Sequence, residues 1–385
     1  MKTAVSFSLA TRYYCPSCGR SYAIDQHQTF ADCCLQPLFT DYDLSAITRD
    51  KLHHRRQDMW RYHELLPVQD SRHIVSLGEG WTPLRKLSAT SQALGLKHLL
   101  LKDESTNPTG SFKARGISVA ISRLKELGIE KCIMPTAGNA GGALSAYAAK
   151  AGIQATVVMP RHSAETLKAE CDALGAELIL VDGLIDACGK KAREIAAQSG
   201  ATDLSTLKEP YRLEGKKTLG YEIAEQLGWQ LPDVIIYPTG GGTGLIGMWK
   251  AFQEMRTLGW ITGKMPRMII VQSENCNPMI QMFDTGMLPD SFEPAPSVAL
   301  GLAVPSPFAK DQIQKTVRES SGTAVTIREQ DLATGIREFA SREGILLSPE
   351  GSAAYMGLKK LIEKDYIQED ETVVLFNTGS WYKYR

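Results

Sequence analysis

The chain has 385 residues, and its 43 acidic and 43 basic side chains cancel. A chain of this length is expected to form two or three domains. The balanced charge gives no indication of a nucleic-acid partner, and no run approaches the roughly 20 apolar residues that span a bilayer. The first residues lack the long apolar stretch of a secretory signal, so we expect a cytoplasmic protein.

The first 44 residues contain four of the eight cysteines and little apolar periodicity. Cys15 and Cys18 form a C-x-x-C pair, which is half of a zinc ribbon because its turn presents two thiolates to one metal. The other half is the adjacent pair Cys33 and Cys34. Neighbouring side chains on an extended strand point in opposite directions, so both could bind one zinc only through a kinked backbone. The sequence is compatible with two interpretations, a structural zinc ion and a metal-free knuckle.

From residue 45 onward, short apolar runs alternate with helical patterns. Strands of four to six apolar residues between longer helices predict parallel sheets covered on both faces. We predict an α/β fold with two three-layer α/β/α domains, mostly parallel sheets and a cleft between the domains. The predicted ranges are 1–44 for a zinc-ribbon-like knuckle, 45–104 and 220–385 for a large domain, and 105–219 for a small domain.

A glycine-rich turn follows the strand-like "DVIIYPT" and precedes a helix. Its residues are Gly240, Gly241, Gly242, Thr243 and Gly244. Glycines here let backbone N–H groups approach an anion, and the helix N-terminus adds its dipole. We expect a phosphate site, with a purely structural glycine corner as the alternative. Gly242, Gly244 and Gly247 also match a dinucleotide fingerprint, in which Glu274 would bind a ribose. Glu274 follows the glycines by about 30 residues in the sequence, whereas the fingerprint has its acidic residue about 20 residues on, which weakens the match.

A second turn, "PTAGNAGGA", also lies between a strand and a helix. Its residues Thr136, Ala137, Gly138, Asn139 and Ala140 offer amide and hydroxyl groups that suit a small carboxylate. The N-capped start of a helix would explain the same residues.

Lys113 follows the turn-rich "NPTGS" and opens an amphipathic helical pattern. An ammonium group is unfavourable at the positive end of a helix. A lysine in that position has a lowered pKa, and its free amine can form a Schiff base with an aldehyde. Alone, Lys113 would be read as a solvated surface residue. Together with the two turns, it indicates pyridoxal phosphate holding an amino acid.

Five motifs carry a family resemblance: "NPTGSFKARG", "TAGNAGGA", "TGGGTG", "SPEGSAA" and "NTGS". Their order resembles that of the fold type II pyridoxal phosphate enzymes, the tryptophan synthase β-subunit group, over residues 75–385. "GEGWTPL" and "EPYRLEGKKT" are most similar to the threonine synthases, whose longer members also have a Cys-bearing N-terminal knuckle. The resemblance implies a lyase, commonly a homodimer, that converts O-phospho-L-homoserine and water into L-threonine and phosphate by γ-elimination and β-addition.

The resemblance also implies roles for matching residues. Lys113 would form the Schiff base and carry protons, Asn139 would bind the cofactor's ring hydroxyl, and Thr378 would face its pyridine nitrogen. The loop Gly240–Gly244 would bind the cofactor phosphate, and Thr136–Ala140 would bind the substrate carboxylate.

Glu350 would lie near the cofactor and substrate, or else only stabilise a helix start. A phosphorylated substrate needs a second anion pocket. Arg115, two residues beyond the lysine, is the first candidate for that pocket, and Arg212 and Lys217 are the next.

Three departures from the threonine synthase pattern favour alternatives. Ala114 replaces the usual aspartate after the lysine, the phosphate loop lacks asparagine, and "NTGSWYKYR" replaces a "GLK" ending. The first two are typical of threonine or serine dehydratases, so a deaminating dehydratase, or another β-eliminating or β-replacing enzyme of this fold, is the main alternative. A nicotinamide-dependent dehydrogenase and a non-catalytic ligand-binding protein are more remote.

Overall fold

The computed structural model describes residues 7–289 and 292–384, so the first six residues of the predicted knuckle lie outside the described part. The strands in chain order are β1 (Ala10–Tyr14), β2 (Ser21–Tyr22), β3 (Phe39–Tyr42), β4 (Leu84–Lys86), β5 (His98–Asp103), β6 (Lys131–Pro135), β7 (Gln154–Pro160), β8 (Glu177–Val181), β9 (Thr202–Asp203), β10 (Val234–Pro238), β11 (Arg267–Ser273), β12 (Ala324–Ile327) and β13 (Thr372–Asn377).

The α-helices in chain order are α1 (Ser88–Leu94), α2 (Lys113–Glu126), α3 (Ala140–Ala151), α4 (Glu165–Ala173), α5 (Ile185–Ser199), α6 (Tyr211–Gln226), α7 (Thr243–Thr257), α8 (Pro278–Thr285), α9 (Lys310–Glu319), α10 (Glu329–Glu343) and α11 (Pro349–Ile362). Short 3-10 helices occupy Leu44–Ala46, Arg49–His54, Met59–Leu65, Ser71–His73, Glu104–Thr106, Pro108–Gly110 and Trp381–Tyr384. None of the helices in the described ranges is long and apolar enough to cross a membrane.

The larger sheet has six strands in the order β12-β11-β10-β13-β5-β4. All neighbours are parallel except β4, which runs antiparallel to β5 at one edge. Alternate residues of a strand face opposite sides of a sheet. Val234 and Ile236 accordingly pack in a core with α10 and α11, whereas Ile235 and Tyr237 pack in another core with α6 and α7. Helices therefore cover both faces.

The smaller sheet has four parallel strands in the order β8-β7-β6-β9. Cys132 and Met134 of β6 face a core shared with α2, α3 and α4. Ile133, between them, faces a separate small core with α5. The predicted α/β fold with two three-layer units and mostly parallel sheets is thus confirmed.

Helix α6 packs against α2, next to the smaller sheet, and against α7, next to the larger one. Every residue from Tyr211 to Ala224 is buried, so this helix has no solvated face. The predicted domain boundary between residues 219 and 220 falls inside α6, and the domain ranges stay a prediction.

The N-terminal residues form a third, antiparallel sheet in the order β2-β1-β3. Its strands are only two to five residues long. Tyr13 and Cys15 of this sheet are buried in the same core as α2 and Tyr211 of α6. The N-terminal sheet is therefore packed onto the helices that join the two large units.

Candidate active site

A cavity of about 560 Å³ lies where strands of both parallel sheets end. Thr136, Gly240 and Thr378, which come just after β6, β10 and β13, all line it. The carboxyl ends of parallel strands are the usual place for a ligand in an α/β fold. Apart from Arg115, the residues predicted to bind the cofactor and the substrate line this cavity: Lys113, Thr136, Ala137, Gly138, Asn139, Ala140, Gly240, Gly241, Gly242, Thr243, Gly244, Glu350 and Thr378.

Lys113 is the first residue of α2, and its side chain reaches the cavity over the ring of Phe112, 4.3 Å from the ring centre. Burial and the positive charge of Arg212 lower the pKa of Lys113 to about 8, whereas Glu350 acts in the opposite direction. Lys113 is therefore a free amine near neutral pH much more often than an ordinary lysine, whose pKa is about 10.4. That state is the one that condenses with an aldehyde cofactor.

The glycine loop runs from the end of β10 into the first turn of α7. Gly242 has a φ of 75°, which L residues with a side chain rarely adopt. A Cβ atom on Gly244 would overlap the Tyr237 hydroxyl, so no larger residue fits there. The bare backbone and the N-terminus of α7 thus meet at the cavity wall, which suits a phosphate group.

The turn between β6 and α3 forms the opposite wall. Thr136 accepts a hydrogen bond from the Gly138 amide over 3.1 Å, and Asn139 Nδ2 donates to the Tyr384 hydroxyl over 3.0 Å. Asn139 Oδ1 is buried, and no group in the described residues donates to it. An unsatisfied buried carboxamide oxygen is costly, so Asn139 has hydrogen-bonding capacity for a ligand such as the cofactor's ring hydroxyl.

Glu350 lies at the start of α11, two residues after the N-cap Ser348, and also lines the cavity. Its Oε1 atom accepts a hydrogen bond of 2.8 Å from the Gly301 amide. Glu350 thus lies both at the cavity wall and in the first turn of α11, and its role towards a ligand stays a prediction.

The prediction that Arg115 lines the substrate pocket is wrong. Residues two apart on an α-helix point in different directions, so Arg115 faces away from the cavity that Lys113 enters. Its guanidinium is fully buried between Glu104 and Glu222, with N–O distances of 2.5 to 2.8 Å. No hydrogen-bonding face of Arg115 is left for a substrate.

Helix α6, and not Arg115, provides basic side chains at the cavity wall. Arg212 and Lys216, four residues apart and therefore on one face, both line it. Lys217 points elsewhere and pairs with Glu214 and Glu254, so the prediction for Lys217 is also wrong. Lys216 was missed because "RLEGKK" resembles a solvated charge run; the spacing of four from Arg212 was the available signal.

Lys216 forms no hydrogen bond or ion pair with any of the described residues, and its Nζ atom lies 4.6 Å from the centre of the Phe112 ring. Burial, Lys113 and Arg212 lower the pKa of Lys216 well below its ordinary value. Burial also raises the pKa of the nearby Glu209 to about 7. Three basic side chains, Lys113, Arg212 and Lys216, thus lie close together on this side of the cavity, and their mutual repulsion favours an anionic ligand there.

The C-terminal segment, residues 378–384, closes a further side of the cavity through Thr378 and Tyr384. It is attached to the turn before α2, because Ser380 N donates to the Gly110 carbonyl and Lys383 Nζ donates to the Thr109 carbonyl. Lys383 also pairs with Glu170 of α4 over 2.6 Å. The aromatic ending therefore forms part of the cavity wall.

The four N-terminal cysteines do not line the cavity, but they lie close to one another. The Sγ atoms of Cys15, Cys18, Cys33 and Cys34 all lie within 4.8 Å of each other. Glu274, the ribose ligand of the dinucleotide alternative, accepts a hydrogen bond from the Glu329 amide and does not line the cavity.

Comparisons with known proteins agree with this geometry. The family model described as "Pyridoxal-phosphate dependent enzyme" matches residues 75–379. The threonine synthase of Methanocaldococcus jannaschii is 32% identical over 376 residues, which cover 96% of this chain and 92% of that protein. The threonine synthase of Methanosarcina acetivorans is 35% identical over 373 residues, covering 96% and 91%.

A solved structure, the processed form of threonine deaminase isoform 2 from Solanum lycopersicum, superimposes with a TM-score of 0.65. It covers 78% of this chain and 83% of that one at 22% identity, which shows a shared fold. The cofactor of the matched family fits the free amine of Lys113, the bare loop Gly240–Gly244 and the open carboxamide of Asn139. The chain belongs to the fold type II pyridoxal phosphate-dependent enzymes and is similar throughout its length to threonine synthases.

Proposed function

We propose that the protein converts O-phospho-L-homoserine and water into L-threonine and inorganic phosphate. The observation that carries the proposal is the row of cations on α6, Arg212 and Lys216, which lines the same cavity as Lys113. A site for pyridoxal phosphate needs one anion pocket for the cofactor, whereas a phosphorylated substrate needs a second. The similarity of almost the whole chain to proteins named threonine synthase supports the same reaction.

Bound pyridoxal phosphate supplies an electron sink that stabilises negative charge on the substrate carbon next to the amino group. The protein has to bind, orient and move protons. In the proposed arrangement the amides of Thr136 to Ala140 hold the substrate carboxylate, and Glu350 lies beside the reacting carbons. Thr378 offers a neutral hydroxyl, which cannot keep the cofactor's ring nitrogen protonated as a carboxylate would. This restraint favours elimination and replacement.

Lys113 is the proposed proton carrier. As a free amine, its Nζ atom removes protons from the substrate at Cα and Cβ, and as an ammonium it returns them. The balance of the reaction is simple. The Cγ–O bond breaks as phosphate leaves, Cβ loses one proton, and Cγ gains one proton to become the methyl group. Water then gives its hydroxyl group to Cβ, and its remaining proton balances the one that the released phosphate carries. A group with a pKa of about 8 can serve in both directions near neutral pH.

Arg212 and Lys216 are the proposed ligands of the leaving phosphate. Arg212 donates to the Leu204 carbonyl over 2.6 Å, which fixes its guanidinium. Its Nε atom lies 3.7 Å from Glu209 Oε1 and donates no hydrogen bond to the described residues. A phosphate dianion there would offset the positive charge of Arg212 and favour the ammonium form of Lys216, whose pKa is lowered by burial, Lys113 and Arg212. Such charge-assisted hydrogen bonds are about twice as strong as neutral ones.

The direct test is a product assay on the purified holoenzyme. With O-phospho-L-homoserine we expect equimolar release of phosphate and L-threonine. The main alternative, a deaminating dehydratase, is favoured by the glycine-only loop Gly240–Gly244 and by Ala114 after the lysine. It predicts ammonia and 2-oxobutanoate from L-threonine without phosphate release, and that outcome would replace our proposal.

The phosphate pocket has a separate test. Lys216→Gln should raise the KM for O-phospho-L-homoserine by about tenfold or more, because a hydrogen bond to a charged group contributes about 1.5–3 kcal/mol. Cofactor content should stay near wild type. The matched control is Lys125→Gln, which neutralises an exposed lysine of α2 away from the cavity. Equal loss of cofactor and substrate affinity would place Lys216 on the cofactor's phosphate instead.

A further inference from the structure

Two tight turns of the N-terminal sheet carry the four clustered cysteines. The first turn joins β1 to β2: Cys15 N donates to the Arg20 carbonyl and Gly19 N to the Cys15 carbonyl, both over 2.9 Å. In the second, Ala31 N donates to the Gln36 carbonyl over 2.8 Å, and Leu35 has a φ of 50°. Cys33 and Cys34 therefore lie on a bent turn. The objection that adjacent side chains diverge applies to an extended strand and not to this backbone.

The sulfur positions fit one tetrahedral ion. With Zn–S bonds of about 2.3 Å, the sulfurs of a four-thiolate site are about 3.8 Å apart. Here Cys18 and Cys33 Sγ are 3.3 Å apart, and all four Sγ atoms lie within 4.8 Å of one another. A closed set of four cysteines is typical of structural zinc, since it leaves no position open for substrate. We propose that Cys15, Cys18, Cys33 and Cys34 bind one structural zinc ion, and that the zinc-bound knuckle holds the N-terminal end of α6 in place.

The link to α6 is made by the chain between the two turns and by β3. The Tyr211 hydroxyl, at the first residue of α6, accepts from Gln28 N over 3.0 Å and lies 3.2 Å from His27 Nδ1. Its ring packs edge-on against Tyr13 at 5.9 Å. One turn further along α6, Glu214 accepts from the Tyr42 hydroxyl over 2.8 Å.

Residues 23–30, which provide the contacts to Tyr211, contain no strand or helix. A three-stranded sheet with strands this short is marginal by itself, so its packing on α2 and α6 and a metal staple would both contribute to its stability. Zinc would join both ends of this segment. Because Arg212 and Lys216 follow Tyr211 on α6, loosening the knuckle would also disturb the cations at the cavity.

The first experiment measures metal in the full-length holoenzyme by plasma mass spectrometry. We expect one zinc ion per chain, and loss of that ion in Cys15→Ser and Cys18→Ser. Cys276→Ser, which changes a buried cysteine outside the cluster, should keep its zinc. Iron in place of zinc, a Cys18–Cys33 disulfide in place of metal, or full zinc content in the double variant Cys15→Ser/Cys18→Ser would overturn the proposal.

A second measurement avoids variants that fail to fold. Titrating wild-type protein with a mercurial reagent in the presence of a zinc indicator should release one zinc as four thiols react. Hydrogen exchange before and after release then tests the link to α6. Exchange should accelerate in residues 211–217 by tenfold or more and stay unchanged in residues 245–251 of α7. Zinc release without any change in residues 211–217 would refute the structural role towards α6.

Discussion

Two charged side chains act on the pKa of Lys113 in opposite directions, so replacing either of them should shift that pKa in a known direction. Arg212 lowers the pKa of Lys113 and Glu350 raises it, around a value of about 8. The rate of covalent cofactor incorporation into apoprotein should therefore rise as the pH increases through about 8, where the free amine forms. Arg212→Gln should move the midpoint upward, and Glu350→Gln should move it downward.

The readout for these variants is cofactor absorbance against pH, with borohydride reduction and peptide mass spectrometry to place the pyridoxyl group on Lys113. Lys125→Gln is the control and should leave the midpoint unchanged. A midpoint near the ordinary lysine value of about 10.4 in all variants would show that the cavity does not tune this amine.

Arg115 is expected to contribute to stability and not to substrate affinity. Removing it would take away the ion-pair partner of the buried Glu104 and leave Glu222 paired with Lys102, and breaking a buried ion pair in this way typically costs about 3–5 kcal/mol. Arg115→Met should therefore lower the free energy of unfolding in urea by an amount of that order, while the KM of the remaining folded enzyme stays near wild type.

The control for Arg115 is Arg328→Met, because Arg328 forms an exposed pair with Asp331 that should be worth less than about 1 kcal/mol. A selective rise in KM for Arg115→Met, with unchanged stability, would contradict this assignment.

Among the structural elements, the C-terminal segment, residues 378–384, connects the larger sheet to the cavity. Tyr384→Phe keeps the ring but removes the acceptor of the Asn139 amide hydrogen bond. A hydrogen bond of this kind contributes about 0.5–1.5 kcal/mol, so the Kd for pyridoxal phosphate should rise up to about tenfold. Tyr382→Phe is the matched control because its side chain is exposed. Fluorescence titration of apoprotein would measure both, and equal affinities would show that Tyr384 does not orient Asn139.

Helix α6 shows why an element can be predicted while its role is misread. Its helical pattern was evident, yet a helix buried on all sides has no apolar stripe that distinguishes its faces. The charged residues of "RLEGKKT" suggest solvent, whereas two of them, Glu214 and Lys217, form a buried ion pair with each other. Only the three-dimensional packing separates Lys216, which faces the cavity, from Lys217, which does not.

For the whole molecule, the cofactor is expected to join the two large units. Lys113 and Asn139 belong to the part built around the smaller sheet, whereas Gly240–Gly244 and Thr378 belong to the larger sheet. Ligand at a hundredfold excess over its Kd stabilises a protein by about 2.7 kcal/mol. The melting temperature of apoprotein should thus rise steadily with added pyridoxal phosphate.

Pyridoxal without its phosphate is the matched ligand for this experiment, since it cannot occupy the glycine loop. It should give a clearly smaller increase at equal concentration in scanning calorimetry. Equal increases for both ligands would show that the loop Gly240–Gly244 contributes nothing to binding.

Sequence patterns predicted the layers and most of the cavity because both depend on local signals. Strand and helix periodicities fix which residues are buried, and Lys113, Asn139 and the glycine loop lie at strand-to-helix turns, whose ends meet in any parallel sheet. Arg115, Lys216 and Tyr384 were misassigned or missed because their surroundings come from distant segments. The partners of Arg115 are 11 and 107 positions away, and those of Tyr384 include Asn139, 245 positions away.

Strand β13 is the last of the described strands in chain order, but it lies in the interior of the larger sheet, between β10 and β5. During synthesis, β5 can therefore pair with its parallel neighbour only after residues 372–377 have been made. The smaller sheet comes from the continuous stretch 131–203 and has no such delay. Nascent chains are thus expected to expose the unpaired edges of β5 and β10 until residues 372–377 have been made, and exposed strand edges favour aggregation.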